Sequence, residues 1–198
     1  MCLLLESIQI RNGILMNSSY HQERMNSSSL YFFGKRVNFN LSSLVIPPEA
    51  GNNIFKCRIL YKTSAEMIEF EPYLAKKIHS LKLVFDNKIS YSYKFADRSN
   101  LIELLKQKGP ADDILIVKNG RITDTSYSNV VFRKGKEYYT PSTFQLNGTK
   151  RQQLLKDGLV EEDHISVDDI SGMDSIIPIN SMLDINNSEN IKISSIIF

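Results

Sequence analysis

Hydrophobic and polar positions alternate with period two through residues 3–10 and again at 14–15, with Asn12-Gly13 between them. That dipeptide favours the tight turn of a β-hairpin, so two short strands are expected there. Asn17-Ser18-Ser19 then supplies a cluster of N-cap residues, and Gly34 a natural stop, so the spacing predicts a helix over 17–34. Pro47-Pro48 and Gly51 mark a loop. Residues 54–61 read as a strand, Ala65–Phe70 as another, and the alternation of 78–85 as one more. Asp86-Asn87-Lys88 interrupts the pattern and is the expected boundary between an N-terminal domain over 1–85 and a C-terminal domain over 86–198.

The second half changes period. Residues 96–108 place Leu101, Leu104 and Leu105 on one helical face, with Asp97 and Ser99 near the start and Gly109-Pro110 at the end. Ile114–Val117, Asn119-Gly120 and Arg121–Thr123 form a second hairpin signal. Ser128–Phe132 and Tyr138-Tyr139, joined through Lys134-Gly135-Lys136, extend it into an antiparallel meander. Gly148-Thr149-Lys150-Arg151 opens a helix through Leu155 with Gly158 as its stop. Short strands around 176–179 and 191–197 close the chain. Strands and helices in this order indicate an α+β architecture.

Composition narrows the class. The 198 residues are 42% hydrophobic and 23% charged, close to ordinary globular usage. No apolar run is long enough for a membrane span, and the opening Leu3-Leu4-Leu5 ends at Glu6 without a basic segment before it, unlike a secretory signal. Cys2 and Cys57 offer neither a disulfide framework nor a zinc spacing. A soluble cytoplasmic protein is expected. Residues 150–198 carry 4 basic and 9 acidic side chains, which leaves residues 1–149 with a net charge of +7. The basic residues are scattered singly or in pairs, which fits a solvated surface or an anionic small molecule better than nucleic acid.

Three places carry candidate chemistry. Gly148-Thr149 at a helix start directs backbone N–H groups outward, a suitable seat for phosphate, although ordinary capping uses the same residues more often. Lys94 follows alternating polar and aromatic residues in Ser90–Phe95, on the face opposite Tyr93 and Phe95. A lysine among apolar neighbours becomes a usable nucleophile, while a solvated strand lysine is the commoner case. Asp124, just beyond the Asn119-Gly120 hairpin, is placed to meet a ligand cation or to serve the turn. His21, His79 and His164 have no metal spacing, and there is no nucleophile elbow, Rossmann glycine pattern or P-loop.

Taken together, the pieces resemble the fold-type IV, or class IV, aminotransferases, which use pyridoxal 5'-phosphate. They include 4-amino-4-deoxychorismate lyase and the D-amino acid and branched-chain aminotransferases. His21-Gln22-Glu23-Arg24 looks like the family's His-x-x-Arg, with serines just beyond it. Tyr93-Lys94-Phe95-Ala96-Asp97-Arg98 is similar to the segment that holds the Schiff-base lysine. Gly120-Arg121-Ile122-Thr123-Asp124, ending Ser128-Asn129-Val130-Val131-Phe132, resembles the most specific motif. Thr140-Pro141 with Leu146–Arg151 looks like the phosphate turn, and Ile179-Asn180-Ser181-Met182 like the final loop at the cofactor.

The resemblance implies a two-domain fold with a shortened N-terminal domain and a homodimer acting on a small amino-group substrate. It makes Lys94 catalytic. It assigns Arg24, Asp124, Ser128, Asn129, Gly148, Thr149, Lys150, Asn180 and Ser181 to the cofactor, with no metal. Asp124 replaces the family's glutamate, shorter by one methylene, and Lys150 stands where many members have threonine. Arg98, four residues after Lys94, looks like the lyase pattern, and Arg58 is a further candidate for a substrate carboxylate. The expected reaction is pyruvate elimination from 4-amino-4-deoxychorismate to give 4-aminobenzoate for folate. The alternatives are a D-amino acid or branched-chain aminotransferase, or a cofactor-binding protein without catalysis.

Overall fold

A computed structural model describes residues 2–51 and 53–198. The chain forms two compact units. The first comprises the residues up to Ala75 together with Tyr93–Asp97, and the second Lys76–Ser92 and Arg98–Phe198.

The first unit is a four-stranded antiparallel sheet in the order β2-β1-β3-β4, with one long helix. Its strands are β1 (Leu4–Arg11), β2 (Ile14–Leu15), β3 (Ile54–Tyr61) and β4 (Ala65–Pro72). Asn12 and Gly13 both adopt the left-handed conformation in the β1–β2 turn, which is why this dipeptide marks it. Helix α1 (Ser18–Phe33) buries His21, Met25, Ser28 and Ser29, spaced as one helical face. Gly34 ends it in the left-handed conformation as expected, but Asn17 is itself left-handed and gives no side-chain cap, so the predicted capping is absent. Leu4, Ile8 and Ile10 of β1 meet Met25, Phe55, Cys57, Ile59 and Tyr61 in the core.

The second unit is a nine-stranded mixed sheet. Along it run β10 (Glu161–Asp163), β9 (Glu137–Pro141), β8 (Asn129–Lys134), β7 (Arg121–Thr125), β6 (Asp113–Lys118), β5 (Leu81–Phe85) and β13 (Ile196–Ile197). Strand β11 (Ser175–Ile179) also pairs with β8, and β12 (Ile191–Lys192) with β11. Strands β6 to β9 form the expected antiparallel meander, with Asn119 and Gly120 at positive φ in the hairpin. Helix α2 (Ser99–Leu105) buries Leu101 and Leu104 and tightens into a 3₁₀ turn over Lys106–Lys108, while α3 (Thr149–Lys156) has Gly148 as its N-cap. Leu81, Leu83, Leu115, Val117, Val130, Phe132 and Ile176 lie at the core.

Three expectations need correction. The units divide after Ala75, not at 85/86, because β5 pairs in parallel with β6 and so joins the second sheet. Asp86-Asn87-Lys88 is therefore a turn inside the second unit, where the Asp86 carboxylate accepts from the Lys88 and Ile89 amides at 2.7 and 3.1 Å. Residues 90–95 do not form a strand. A single bridge, Phe95 to Leu4, attaches the segment to β1.

Candidate active site

In the first unit, β1 delivers Glu6 in the same phase as Leu4, Ile8 and Ile10, so a carboxylate is fully buried in an apolar interior. Helix α1 answers it with two residues one turn apart. The Arg24 guanidinium donates from Nε and Nη2 to the two oxygens of Glu6 at 2.8 and 2.6 Å. His21 Nδ1 lies 2.7 Å from Glu6 Oε2 and, facing an acceptor-only carboxylate, carries the proton. Burial alone would raise the Glu6 pKa, but the Arg24 charge and the His21 hydrogen bond outweigh it and hold the carboxyl at about 2. Burial lowers the His21 pKa against the pull of Glu6, so its ring is neutral at pH 7. This clamp presents Arg24 in a fixed orientation.

Lys94, also in the first unit, is half-buried. Its position comes from backbone bonds on either side: the Leu5 amide donates to Lys94 O and the Ala96 amide to Leu3 O, each at 2.8 Å. Tyr93 stacks on Tyr31, with centroids 4.9 Å apart, and meets Phe32 edge-on at 4.7 Å. Phe95 packs against Phe32 as well. Both flanking rings thus face α1, and the alternation read from the sequence holds locally without a strand. Arg58 is half-buried on β3 and donates to Glu69, its register partner on β4, at 2.9 Å. An ordinary cross-strand ion pair accounts for it, so it leaves the candidate set.

In the second unit, β8 begins at Asn129, whose register partners are Asp124 on β7 and Ile179 on β11. One strand end thereby gathers Asp124, Ser128, Asn129 and the loop at Asn180-Ser181. Asp124 is buried. Its Oδ1 accepts from Asn129 Nδ2 at 2.9 Å, and its Oδ2 accepts from the Gln145 and Leu146 amides at 3.0 Å each. Burial nonetheless pushes its pKa up to about 6, against the pull of those donors and of the Arg151 charge. Three donors occupy three of a carboxylate's roughly four acceptor positions, and the remaining one lies on Oδ1.

The Gly148 turn leads into α3, whose first intrahelical bond runs from the Gln152 amide to Gly148 O at 3.0 Å, so the Lys150 and Arg151 amides precede the helix ladder. The Lys150 ammonium turns aside, donating to Asp184 at 2.7 Å and Gln153 at 2.9 Å. Asn180 Oδ1 accepts from the Met182 and Leu183 amides, and its Nδ2 donates to Ser128 Oγ at 2.9 Å. The Asn180 amide therefore shapes the loop and orients Ser128. Arg98 Nη2 donates to Ser126 O at 2.5 Å, while its buried Nε has no hydrogen-bond partner among the described residues.

Two buried charged residues that support these clusters, Glu6 and Arg151, were given no role of their own in the sequence reading. Glu6 carried a usable signal, an acid on the buried phase of an apolar strand. Arg151 lay in the stretch likened to the phosphate turn, with nothing to mark its burial: it is 3% exposed, donates to Pro141 O at 3.0 Å and to Glu162, and lies 4.4 Å from the Phe144 ring centroid.

The family model for amino-transferase class IV matches residues 99–187. A protein of Haemophilus influenzae, itself uncharacterized, is 39% identical over 182 residues, which cover 90% of this chain and 97% of its own. A crystal structure from Haemophilus somnus, provisionally named a 4-amino-4-deoxychorismate lyase, superposes with a TM-score of 0.84 at 33% identity, covering 93% of this chain and 98% of its own. The branched-chain amino acid aminotransferase of Escherichia coli shares the fold at 15% identity and a TM-score of 0.70, with 98% of this chain covering 76% of that enzyme. This chain thus matches the two Haemophilus proteins over nearly their whole length.

Proposed function

The chain belongs to the class IV aminotransferases, enzymes that use pyridoxal phosphate, and from that premise we propose that it is a 4-amino-4-deoxychorismate lyase, releasing pyruvate and 4-aminobenzoate. The observation that carries the reading is Asp124, a buried acid with one acceptor position left on Oδ1, on the strand end that also holds Ser128 and Asn180. A protonated pyridine nitrogen fits that position. The name of the Haemophilus somnus relative favours the lyase over the transaminase.

When bound, the cofactor supplies a ring that accepts electron density from the substrate carbon. Asp124 holds the proton at the ring nitrogen. Arg24, oriented by Glu6, would offer a phosphate charge-assisted hydrogen bonds, and in the second unit the Gly148-Thr149 turn has backbone donors of the kind a phosphate takes. Lys94 would be the amine that holds the cofactor, and it would move protons at the substrate carbon. Arg98 is the candidate for a substrate carboxylate. The enzyme acts as a cytoplasmic homodimer in folate synthesis.

Reconstitution with pyridoxal phosphate tests this directly. A visible absorption band is expected in the wild type and not in Lys94→Ala, with pyruvate released from 4-amino-4-deoxychorismate. A band that converts to the pyridoxamine spectrum with an amino acid would replace the lyase with a transaminase. A protein that shows no band would be a degenerate relative.

A further inference from the structure

We propose that Asn129 is a positioning residue that joins Asp124 to the Gly148 turn, so that the acid and the phosphate-binding turn hold their places as one piece. Both hydrogens of its amide are spent on protein: Nδ2 donates to Asp124 Oδ1 at 2.9 Å and to Leu146 O at 2.8 Å. Those two acceptors also fix which way the amide points, since the reverse orientation would set oxygen against oxygen. Its Oδ1 then lies against Gly148, where a Cβ would come within 2.1 Å of it. No N–H of the Asn129 side chain is left for a cofactor, which replaces the contact role that the family resemblance implies.

Gly148 is glycine for this reason and not for its backbone. Its φ of −66° and ψ of 144° suit any residue, so the demand comes from the asparagine oxygen. Leu146 closes the arrangement from the other side, because its amide donates to Asp124 Oδ2 while its carbonyl accepts from Asn129. A side chain added at position 148 must therefore push Asn129 away, and Asp124 loses a donor without being touched. Arg151, the charged group that acts on Asp124 from α3, keeps its own partners in that event.

This inference rests on the proposed function for its meaning, but its test does not need the cofactor. The Asp124 carboxyl is followed by carbon NMR across pH in the cofactor-free protein, in wild type, Gly148→Ala, Asn129→Ala and the double variant. Gly148→Ala is expected to raise the Asp124 midpoint by roughly one pH unit, as Asn129→Ala does, and the double variant to match Asn129→Ala alone. An unchanged midpoint in Gly148→Ala, or shifts that add in the double variant, would overturn the proposal. Should Gly148→Ala fail to fold, the double variant decides, because removing the Asn129 side chain makes room for the new methyl. A double variant as unstable as Gly148→Ala would count against the coupling. Cofactor absorbance, recorded separately, reports on the proposed function without bearing on this result.

Discussion

Glu6 and Asp124 are both buried carboxylates, yet their surroundings drive them in opposite directions. Glu6 is held at about 2, below its ordinary 4.5, so the stability it contributes is present above that ordinary value and is lost as pH falls through about 2. Glu6→Gln should flatten the acid limb of stability between about pH 5 and 2. It should also cost about 3–5 kcal/mol near neutrality, since the buried ion pair with Arg24 is broken. Urea unfolding across pH measures both, and an unaltered acid limb would remove Glu6 as its source. Asp124 is raised from 3.8 to about 6, so its contribution is full below 3.8 and is lost as pH rises through about 6. In cofactor-free protein this amounts to about 3 kcal/mol. Asp124→Asn should abolish that slope and weaken cofactor binding, read by the same titration and by absorbance. At this scale the sequence was informative where a residue type contradicts its position, as Glu6 does in its apolar phase. It was silent on the burial of Arg151, a cation on the same short helix as the buried Leu154.

Turns and strands were legible wherever local chemistry decides them. Both Asn-Gly hairpins carry two successive positive φ values, a conformation that costs glycine little and most residues more. Gly120→Ala should therefore lower stability by about 1 kcal/mol through the backbone alone, because nothing lies within 4 Å of the added carbon. Denaturant unfolding checks this as a lower midpoint with an unchanged slope. Strand β10 is Glu161-Glu162-Asp163, exposed and acidic, with no apolar position to betray it. It exists because β9 offers a parallel edge. The Lys94 segment looked like a strand because its rings alternate, but that alternation serves packing on α1, and only Phe95 bridges to β1. Local pattern fixes which way a side chain faces more readily than which partner the backbone finds.

The order of the chain through its two units was the least legible property. Strand β5 alternates like its N-terminal neighbours, and only its parallel pairing with β6 reveals the sheet to which it belongs. Among the described residues no helix is long and apolar enough to cross a membrane. The proposed homodimer predicts twice the chain mass in sedimentation velocity at micromolar concentration, and a monomer at all concentrations would refute it.

The five residues Tyr93–Asp97 return to the first unit after the chain has already entered the second. On a ribosome this fixes a sequence of events. A nascent chain released as far as Ala75 contains all four strands and the long helix of the first unit, yet Leu5 and Leu3 still await Lys94 and Ala96. The edge of β1 stays open until that later stretch emerges, by which time β5 is already outside the tunnel. Lys94 is thus among the last parts of its unit to be secured during synthesis, and a chain that stalls before residue 94 cannot complete the unit that holds it.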